Sequence, residues 1–244
     1  MAASQRFAIP PGAVRVWRGY RAATMPLNEF LTRLGTVFIP ATVAMQIDAG
    51  LDAYVPTVPG GLADKPDSVP DETAILFWDS PETYHDSFNT LAVRTYTLTH
   101  GAVYQPPSRA DFPVLFRGAL TAEQPVYLID DPADWMHGNV THLIGGRPAA
   151  VPAPDFIAGA ARALTALQSS GIEGGIACAG NDYLTCWVLG AGGSTAALAK
   201  LCGWATLVRP ENTALPAGLW DAWPGMTVSP GSSHNMQFKR RWER

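Results

Sequence analysis

Residues 171–189 read GIEGGIACAGNDYLTCWVL, and the order of elements around this stretch decides the fold. Two largely apolar runs, Ile172 to Ala179 and Tyr183 to Leu189, flank Gly180-Asn181-Asp182, a turn of the kind that β-hairpins favour. Apolar residues from Phe156 to Leu167 precede them with helical spacing, and Ser169-Ser170-Gly171 ends that helix. The stretch therefore predicts a helix followed by two antiparallel strands.

The residues on either side complete a repeat unit. Val140 to Ile144 predicts a strand before the helix. After the hairpin, Ser194 is expected to cap a short helix that Gly203 ends, and Trp204 to Val208 predicts a last strand. The order is strand, helix, strand, strand, helix, strand.

The N-terminal half shows the same order. Val14 to Arg21 alternates as a half-buried strand does, and Pro26 opens an amphipathic helix that Pro40 should kink and Gly50 should end. Strands are predicted from Leu51 to Val55 and from Thr73 to Trp78.

A second helix of this half is predicted from Ser80-Pro81, an N-cap followed by proline at the first helical position. One face of this helix is expected to carry Tyr84, Phe88, Leu91, Thr95 and Leu98. Gly101 to Tyr104 then supplies a fourth strand.

The predicted fold class is α+β, with two tandem ferredoxin-like (βαββαβ) halves that fold together as one α+β barrel. The halves are expected at 1–105 and 139–210, with a connecting segment at 106–138. Because the tail 211–244 contains Trp220 and Trp223, we expect it to pack on the sheet.

Composition excludes several classes of function. The chain has 244 residues, 47% of them hydrophobic, and a formal net charge of -4. It can bury a core, and its charge predicts neither a nucleic-acid partner nor an anionic membrane partner. No signal peptide and no membrane-spanning run of about 18 apolar residues is expected. Three cysteines without CxxC spacing indicate buried thiols in a reducing compartment, so we expect a cytoplasmic protein.

Sequence motifs give little support to metal or nucleophile chemistry. No histidine pair has HExxH or other ligand spacing, and no GxSxG elbow is present, so neither a metal site nor a serine hydrolase is predicted. The loop from Gly190 to Thr195 lacks the lysine of a phosphate-binding P-loop. We therefore expect no cofactor, although haem needs only one histidine and His142 is the conceivable ligand.

The element order resembles that of the dimeric α+β barrel superfamily, which includes antibiotic-biosynthesis monooxygenase-like proteins and, as tandem fusions, chlorite dismutase-like haem proteins. Trp78-Asp79-Ser80-Pro81-Glu82-Thr83-Tyr84-His85 is similar to the strand-to-helix corner common in such barrels. The resemblance implies a cavity for an apolar or aromatic small molecule, sometimes haem. Recruitment of a peptide in a natural-product pathway is another use of such scaffolds, and the fused halves could pair again as a homodimer.

Aromatic residues on strands and at the corner favour an aromatic-lined pocket. The candidate ligand-binding residues are Trp78, Tyr84, His85, His100, Tyr104, His142 and Trp187. Arg94 lies nine residues after His85, which places the two on opposite faces of a continuous helix, so one of them must face solvent.

Three functions remain open on the sequence alone, and the first is favoured because aromatic residues are abundant while metal-ligand and nucleophile motifs are absent. The first is a binding protein for an aromatic small molecule or peptide, acting in a biosynthetic pathway without catalysis; an open sheet edge could also add a peptide strand. The second is a cofactor-independent monooxygenase, isomerase or cyclase in which His100 or His85 acts as the base. The third is haem binding by the tandem barrel.

Overall fold

The computed structural model describes residues 12–116, 119–129, 131–135, 140–190, 195–208, 211–214 and 228–237. Its strands are β1 Val14–Arg21, β2 Leu51–Thr57, β3 Glu72–Trp78, β4 Tyr104–Asp111, β5 Val114–Leu115, β6 Val126–Ile129, β7 Val140–Gly146, β8 Gly174–Ala179, β9 Tyr183–Leu189, β10 Trp204–Val208, β11 Glu211–Ala214 and β12 His234–Gln237. Its α-helices are α1 Leu27–Arg33, α2 Ile39–Gln46, α3 Pro81–Ser87, α4 Leu91–Thr99, α5 Ala153–Gln168 and α6 Ala196–Ala199. The predicted α+β class is confirmed.

The described residues form two compact units. The N-terminal unit comprises those of 13–62, 70–112 and 211–244, and the central unit comprises those of 1–12, 63–69 and 113–210. Each unit contains one six-stranded sheet. The strand order is β11-β12-β2-β3-β1-β4 in the N-terminal unit and β10-β7-β9-β8-β6-β5 in the central unit.

The core of the N-terminal unit lies between its sheet and its first helix. Every residue of β2 and β3 is buried, as expected for central strands. Side chains on the helical side of the core include Phe30, Leu34, Phe38, Ile39 and Val43, and those on the sheet include Leu51, Tyr54, Leu76 and Trp78. Burial of this apolar surface stabilises the arrangement of sheet and helix.

The first helix runs from Leu27 to Ala49, and its irregularity lies just before Pro40. Residues Leu34–Phe38 form a π-helical turn between α1 and α2. Proline lacks the N–H that would bond the carbonyl one turn earlier, and a π turn accommodates that missing bond without breaking the helix. The helix ends as predicted at Gly50, whose φ of 108° suits glycine.

This 23-residue helix is long and apolar enough to cross a membrane by length and composition, contrary to the expectation from the sequence. Its buried residues pack in the core of the N-terminal unit, as those of a core helix do.

The predicted second helix is two helices. Ser80 caps α3 as expected, its Oγ accepting a hydrogen bond of 3.0 Å from the Thr83 backbone N–H. Thr90 caps α4 by accepting from the Val93 N–H at 3.3 Å. This break resets the helical phase, so Val93 and Tyr96 are buried, whereas Leu91 and Leu98 are 80% and 81% exposed. The predicted buried face is therefore wrong beyond Phe88.

The fourth strand begins later than predicted. His100–Ala102 form a 3-10 turn, and β4 starts at Tyr104 and continues to Asp111. It pairs with β1 and is an outer strand of the sheet.

The central unit contains the predicted helix and hairpin. Helix α5 ends before Ser169, and β8 and β9 pair from Gly174↔Leu189 to Ala179↔Leu184. At the turn, the Gly180 N–H donates to the Tyr183 carbonyl at 2.8 Å. Phe156, Leu164 and other residues of α5 pack on this sheet.

Several sequence features lie outside the described residues: Gly190 to Thr195 apart from its two ends, His137, Trp220 and Trp223, and the basic residues Lys239, Arg240, Arg241 and Arg244. The prediction that the tail packs on a face of the sheet therefore stays a prediction. Its described parts, β11 and β12, join the sheet beside β2. Cys178 and Cys186 are buried, and Cys202 is half-buried.

Candidate functional site

A cavity of about 410 Å³ lies between the sheet of the N-terminal unit and helices α2, α3 and α4. A cavity of this size suits a small aromatic ligand. The cavity is lined by polar and aromatic side chains, among them Arg15, Trp17, Gln46, Tyr84, Tyr96, His100 and Tyr104.

A smaller cavity of about 30 Å³ adjoins it, since Arg15, Trp17, Gln46, Tyr96 and His100 line both. Its volume holds one or two water-sized molecules.

His100 is the histidine that lines the cavity. It follows α4 directly, and four aromatic rings surround its imidazole. The centroid distances are 5.3 Å to Trp17, 4.9 Å to Phe38, 4.8 Å to Tyr96 and 6.2 Å to Tyr104. Burial among these rings lowers the pKa of His100, so the imidazole is neutral at neutral pH.

The π-helical turn contributes to this environment because it contains Phe38. The Phe38 ring stands at 88° to the His100 imidazole and at 81° to the Tyr104 ring. The irregularity that accommodates Pro40 thus places an aromatic ring against the candidate base, in keeping with the frequent location of π turns at functional sites.

A buried carboxyl group, Glu72, bonds to residues of the cavity wall. It accepts hydrogen bonds from Tyr104 Oη, from Trp17 Nε1 at 3.1 Å and from Tyr54 Oη at 3.3 Å. Glu72 is fully buried, and this burial raises its pKa to about 7 despite the three donors. The carboxyl group therefore titrates near neutrality.

Two nitrogen-bearing side chains that line the cavity keep donor N–H groups available in the described part of the chain. The Arg15 guanidinium lies over the Tyr84 ring, its Cζ 4.0 Å from the centroid, and forms no ion pair with a described carboxylate. Gln46 is 2% exposed, and its Nε2 makes no hydrogen bond to a described residue. The cavity therefore combines apolar walls with available donors.

Three of the seven predicted site residues line this cavity: Tyr84, His100 and Tyr104. Trp78 is buried beside it, with its ring 5.1 Å from that of Tyr84. His85 is exposed and contacts the rings of Tyr84 and Phe112 at 5.3 and 6.0 Å. Arg94 is exposed too, so the two residues do not take the opposite faces predicted for a continuous helix, because the helix is broken between α3 and α4.

His142 and Trp187 lie in the central unit and contact each other. Their rings are stacked, with centroids 4.3 Å apart and an interplanar angle of 9°. His142 is fully buried, and its Nε2 is 2.7 Å from Thr185 Oγ1. This burial lowers the pKa of His142 to about 3. A nitrogen held by a hydroxyl and a ring covered by indole do not suit a haem ligand.

The sequence reasoning missed Arg15, Gln46, Tyr96 and Glu72. A signal existed for two of them. Arg15 and Trp17 alternate on β1, so they share a face of the strand, and Glu72 begins a strand that is otherwise uncharged. A charged residue on a buried strand face indicates a partner or a ligand.

No protein-family model and no curated protein matches the sequence. Among solved structures, an anthrone oxidase-like protein matches with 10% identity over 76% of this chain and 74% of that chain, at a TM-score of 0.37. Presumed monooxygenases from Fusobacterium nucleatum and Lactobacillus acidophilus match with 4% and 10% identity, over 80% and 72% of this chain and 89% and 75% of theirs, at TM-scores of 0.35 and 0.33. Similarity at this level does not identify a family for the chain.

Proposed function

We propose that the cavity of the N-terminal unit is the active site of a cofactor-independent enzyme that acts on an aromatic small molecule, with His100 as the base. One observation carries the proposal: a histidine with a lowered pKa lines an aromatic cavity beside an arginine that forms no direct ion pair with a described carboxylate. A general base must be unprotonated at the working pH and within reach of the substrate, and the lowered pKa of His100 and its place in the cavity wall support this role.

The chemistry follows from the charges. His100 takes a proton from an acidic C–H or O–H group of the bound molecule and becomes positive. The electron pair of the broken bond stays on the substrate, which becomes an anion. Arg15 stabilises that anion, and the apolar walls strengthen the attraction because they exclude water.

A monooxygenase is the preferred class because the adjoining cavity of about 30 Å³ has room for a molecule of the size of dioxygen. Dioxygen is then the oxidant. The deprotonated carbon of a CH₂ group takes one oxygen atom of dioxygen and becomes a carbonyl carbon, while the other oxygen atom leaves as water with the two hydrogens of the former CH₂ group, one of them the proton that His100 had taken. An isomerase or a cyclase would use the same proton transfer without dioxygen.

The test compounds are polycyclic ketones whose CH₂ group is acidified by two flanking aryl rings, anthrone among them. We expect wild-type protein to accelerate oxygen uptake and His100→Gln to abolish that acceleration. His85→Gln is the matched control, since His85 is exposed and does not line the cavity. Because protonation inactivates the base and burial lowers the pKa of His100, kcat/KM should rise with pH and level off at a lower pH than it would for a solvent-exposed imidazole.

Equal oxygen uptake by the wild type and His100→Gln would refute the role of the base. An absorbance spectrum and a native mass spectrum of the purified protein, recorded before any compound is added, test whether a cofactor is bound. A Soret band would favour the haem alternative instead.

Binding without turnover is the second candidate function, because aromatic rings and available donors suffice to hold a ligand. A peptide added as a strand is disfavoured at the β4 edge. Pro106 and Pro107 lie on that strand and have no N–H to donate to a new partner.

The fold proposal is that both units are ferredoxin-like halves of one α+β barrel. The orders β4-β1-β3-β2 and β10-β7-β9-β8 support it, since each places the first and third strands of a half in the middle. Homodimer formation, a cytoplasmic location and a role in a biosynthetic pathway stay predictions.

A further inference from the structure

The wall of the cavity in the N-terminal unit contains two side chains whose nitrogen atoms can donate hydrogen bonds to a ligand. Arg15 and Gln46 reach it from β1 and α2, and both also line the smaller adjoining cavity. Among the described residues, no carboxylate pairs with Arg15 and no acceptor bonds to Gln46 Nε2.

Within the described part of the chain, Arg15 forms no direct ion pair, unlike two neighbouring arginines. On the same strand, Arg18 pairs with Asp111 at 2.9 Å, and Arg109 pairs with the same carboxylate at 2.8 Å. Asp111 is thus already bonded to two guanidinium groups, whereas the close contact of Arg15 is the Tyr84 ring. A half-buried cation in an apolar cavity is stabilised by an anion that enters with a ligand.

Gln46 supplies the second donor. Its Nε2 is buried and makes no hydrogen bond to a described residue, and a buried amide nitrogen without a hydrogen bond is destabilising. A ligand oxygen placed between Arg15 and Gln46 would accept from both.

We infer that Arg15 and Gln46 bind an anionic oxygen of the ligand, which is therefore an aromatic molecule carrying one carboxylate, phenolate or enolate group. The aromatic body packs against Trp17, Tyr104 and Tyr84. One guanidinium among apolar walls suits a single negative charge rather than a phosphate dianion. The inference rests on the proposed function for the location of the site, but it concerns binding rather than turnover.

The probes are 8-anilinonaphthalene-1-sulfonate and N-phenyl-1-naphthylamine, which differ only in the anionic group. We expect Arg15→Gln to weaken binding of the sulfonate about tenfold to a hundredfold, as expected for loss of a charged hydrogen bond, and to leave binding of the neutral amine unchanged. Gln46→Leu should weaken the sulfonate about fivefold, because only a neutral donor is lost. Arg162→Gln, an exposed position on α5 of the central unit, is the control for net charge.

Arg15→Lys keeps a charge and should restore part of the affinity for the sulfonate, provided that circular dichroism shows the variants to be folded. If Arg15→Gln weakened both probes equally, or neither, the inference would be overturned. Loss of sulfonate selectivity in Arg15→Gln, together with unchanged oxygen uptake in His100→Gln, would uphold this inference and refute the proposed base. Unchanged sulfonate selectivity in Arg15→Gln, together with loss of oxygen uptake in His100→Gln, would refute this inference and uphold the proposed base.

Discussion

The Tyr104 hydroxyl donates a hydrogen bond to Glu72 Oε2, and this bond joins a wall of the cavity to a fully buried carboxyl group. The same oxygen accepts from Trp17 Nε1. The bonds fix the orientation of two rings that line the cavity, so Glu72 is a positioning residue for the site. The Glu72 carboxyl group also gains and loses a proton inside the core, and this titration should change the stability of the N-terminal unit.

Glu72 should make the stability of the N-terminal unit depend on pH. Burial raises the pKa of Glu72 from 4.5 to about 7, so the folded state binds this proton more tightly than the unfolded state does. The free energy of unfolding should therefore decrease as pH rises from 4.5 to 7, by up to about 1 kcal/mol per pH unit from this group. Glu72→Gln removes the titration and should remove that slope.

The slope is best followed by hydrogen exchange of β3 peptides, corrected for the intrinsic effect of pH, because this readout reports on the N-terminal unit. Glu29→Gln, which changes a half-buried carboxylate on α1 paired with Arg33, should keep the wild-type slope. A slope that survives in Glu72→Gln would contradict the assignment.

His142 should give a slope of the opposite sign in the central unit. Its pKa is lowered from 6.5 to about 3, so the unfolded state binds this proton more tightly. The stability that the neutral histidine contributes is complete above pH 6.5 and is lost as pH falls towards 3, by up to about 1 kcal/mol per pH unit. His142→Phe should flatten this acid limb.

Hydrogen exchange of β9 peptides between pH 3 and 7 measures the effect. His85→Phe changes an exposed histidine of the N-terminal unit and should leave the acid limb of β9 unaltered. Equal acid limbs in the wild type and His142→Phe would show that other groups control acid unfolding of the central unit.

Gly19 tests whether the two rings of the cavity wall must keep their positions. A Cβ atom at this position would lie 2.6 Å from Tyr104 Cε1 and 2.7 Å from Trp17 Nε1, closer than such atoms approach. Gly19→Ala should therefore lower the free energy of unfolding by about 1–3 kcal/mol. Because both rings of the cavity wall are displaced, it should also weaken binding of N-phenyl-1-naphthylamine about tenfold. Fluorescence titration measures the dissociation constant of the probe.

Gly101 provides the control for this substitution, because it lines the same cavity but a Cβ atom there would meet no described residue beyond its chain neighbours within 4 Å. Gly101→Ala should bind the probe as the wild type does. Equal binding by Gly19→Ala and Gly101→Ala would show that the two rings tolerate displacement.

Much of the element order was predictable because it depends on local signals. Gly50, Ser80 and the Gly180 turn act within a few residues of themselves, and the structure has each where the sequence predicts it. The cavity was less predictable because its walls come from separate elements. Nothing local to Arg15 or Gln46 shows that the two side chains line one cavity. Nothing local to His142 shows that it is buried against Trp187 while His100 lines the cavity.

The break between α3 and α4 is the clearest case in which a local signal was overridden by another. The apolar residues Leu91 and Leu98 continue the period of α3, but Thr90 starts a new helix whose buried residues are Val93 and Tyr96. Val93→Ala should lower the free energy of unfolding by about 1–3 kcal/mol, because it removes buried methyl groups and leaves a cavity. Leu98→Ala removes more atoms but from an 81% exposed side chain, and it should change stability by less than about 0.5 kcal/mol. Urea unfolding of the pair decides the phase of α4, since a continuous helix with the period of α3 predicts the opposite ranking.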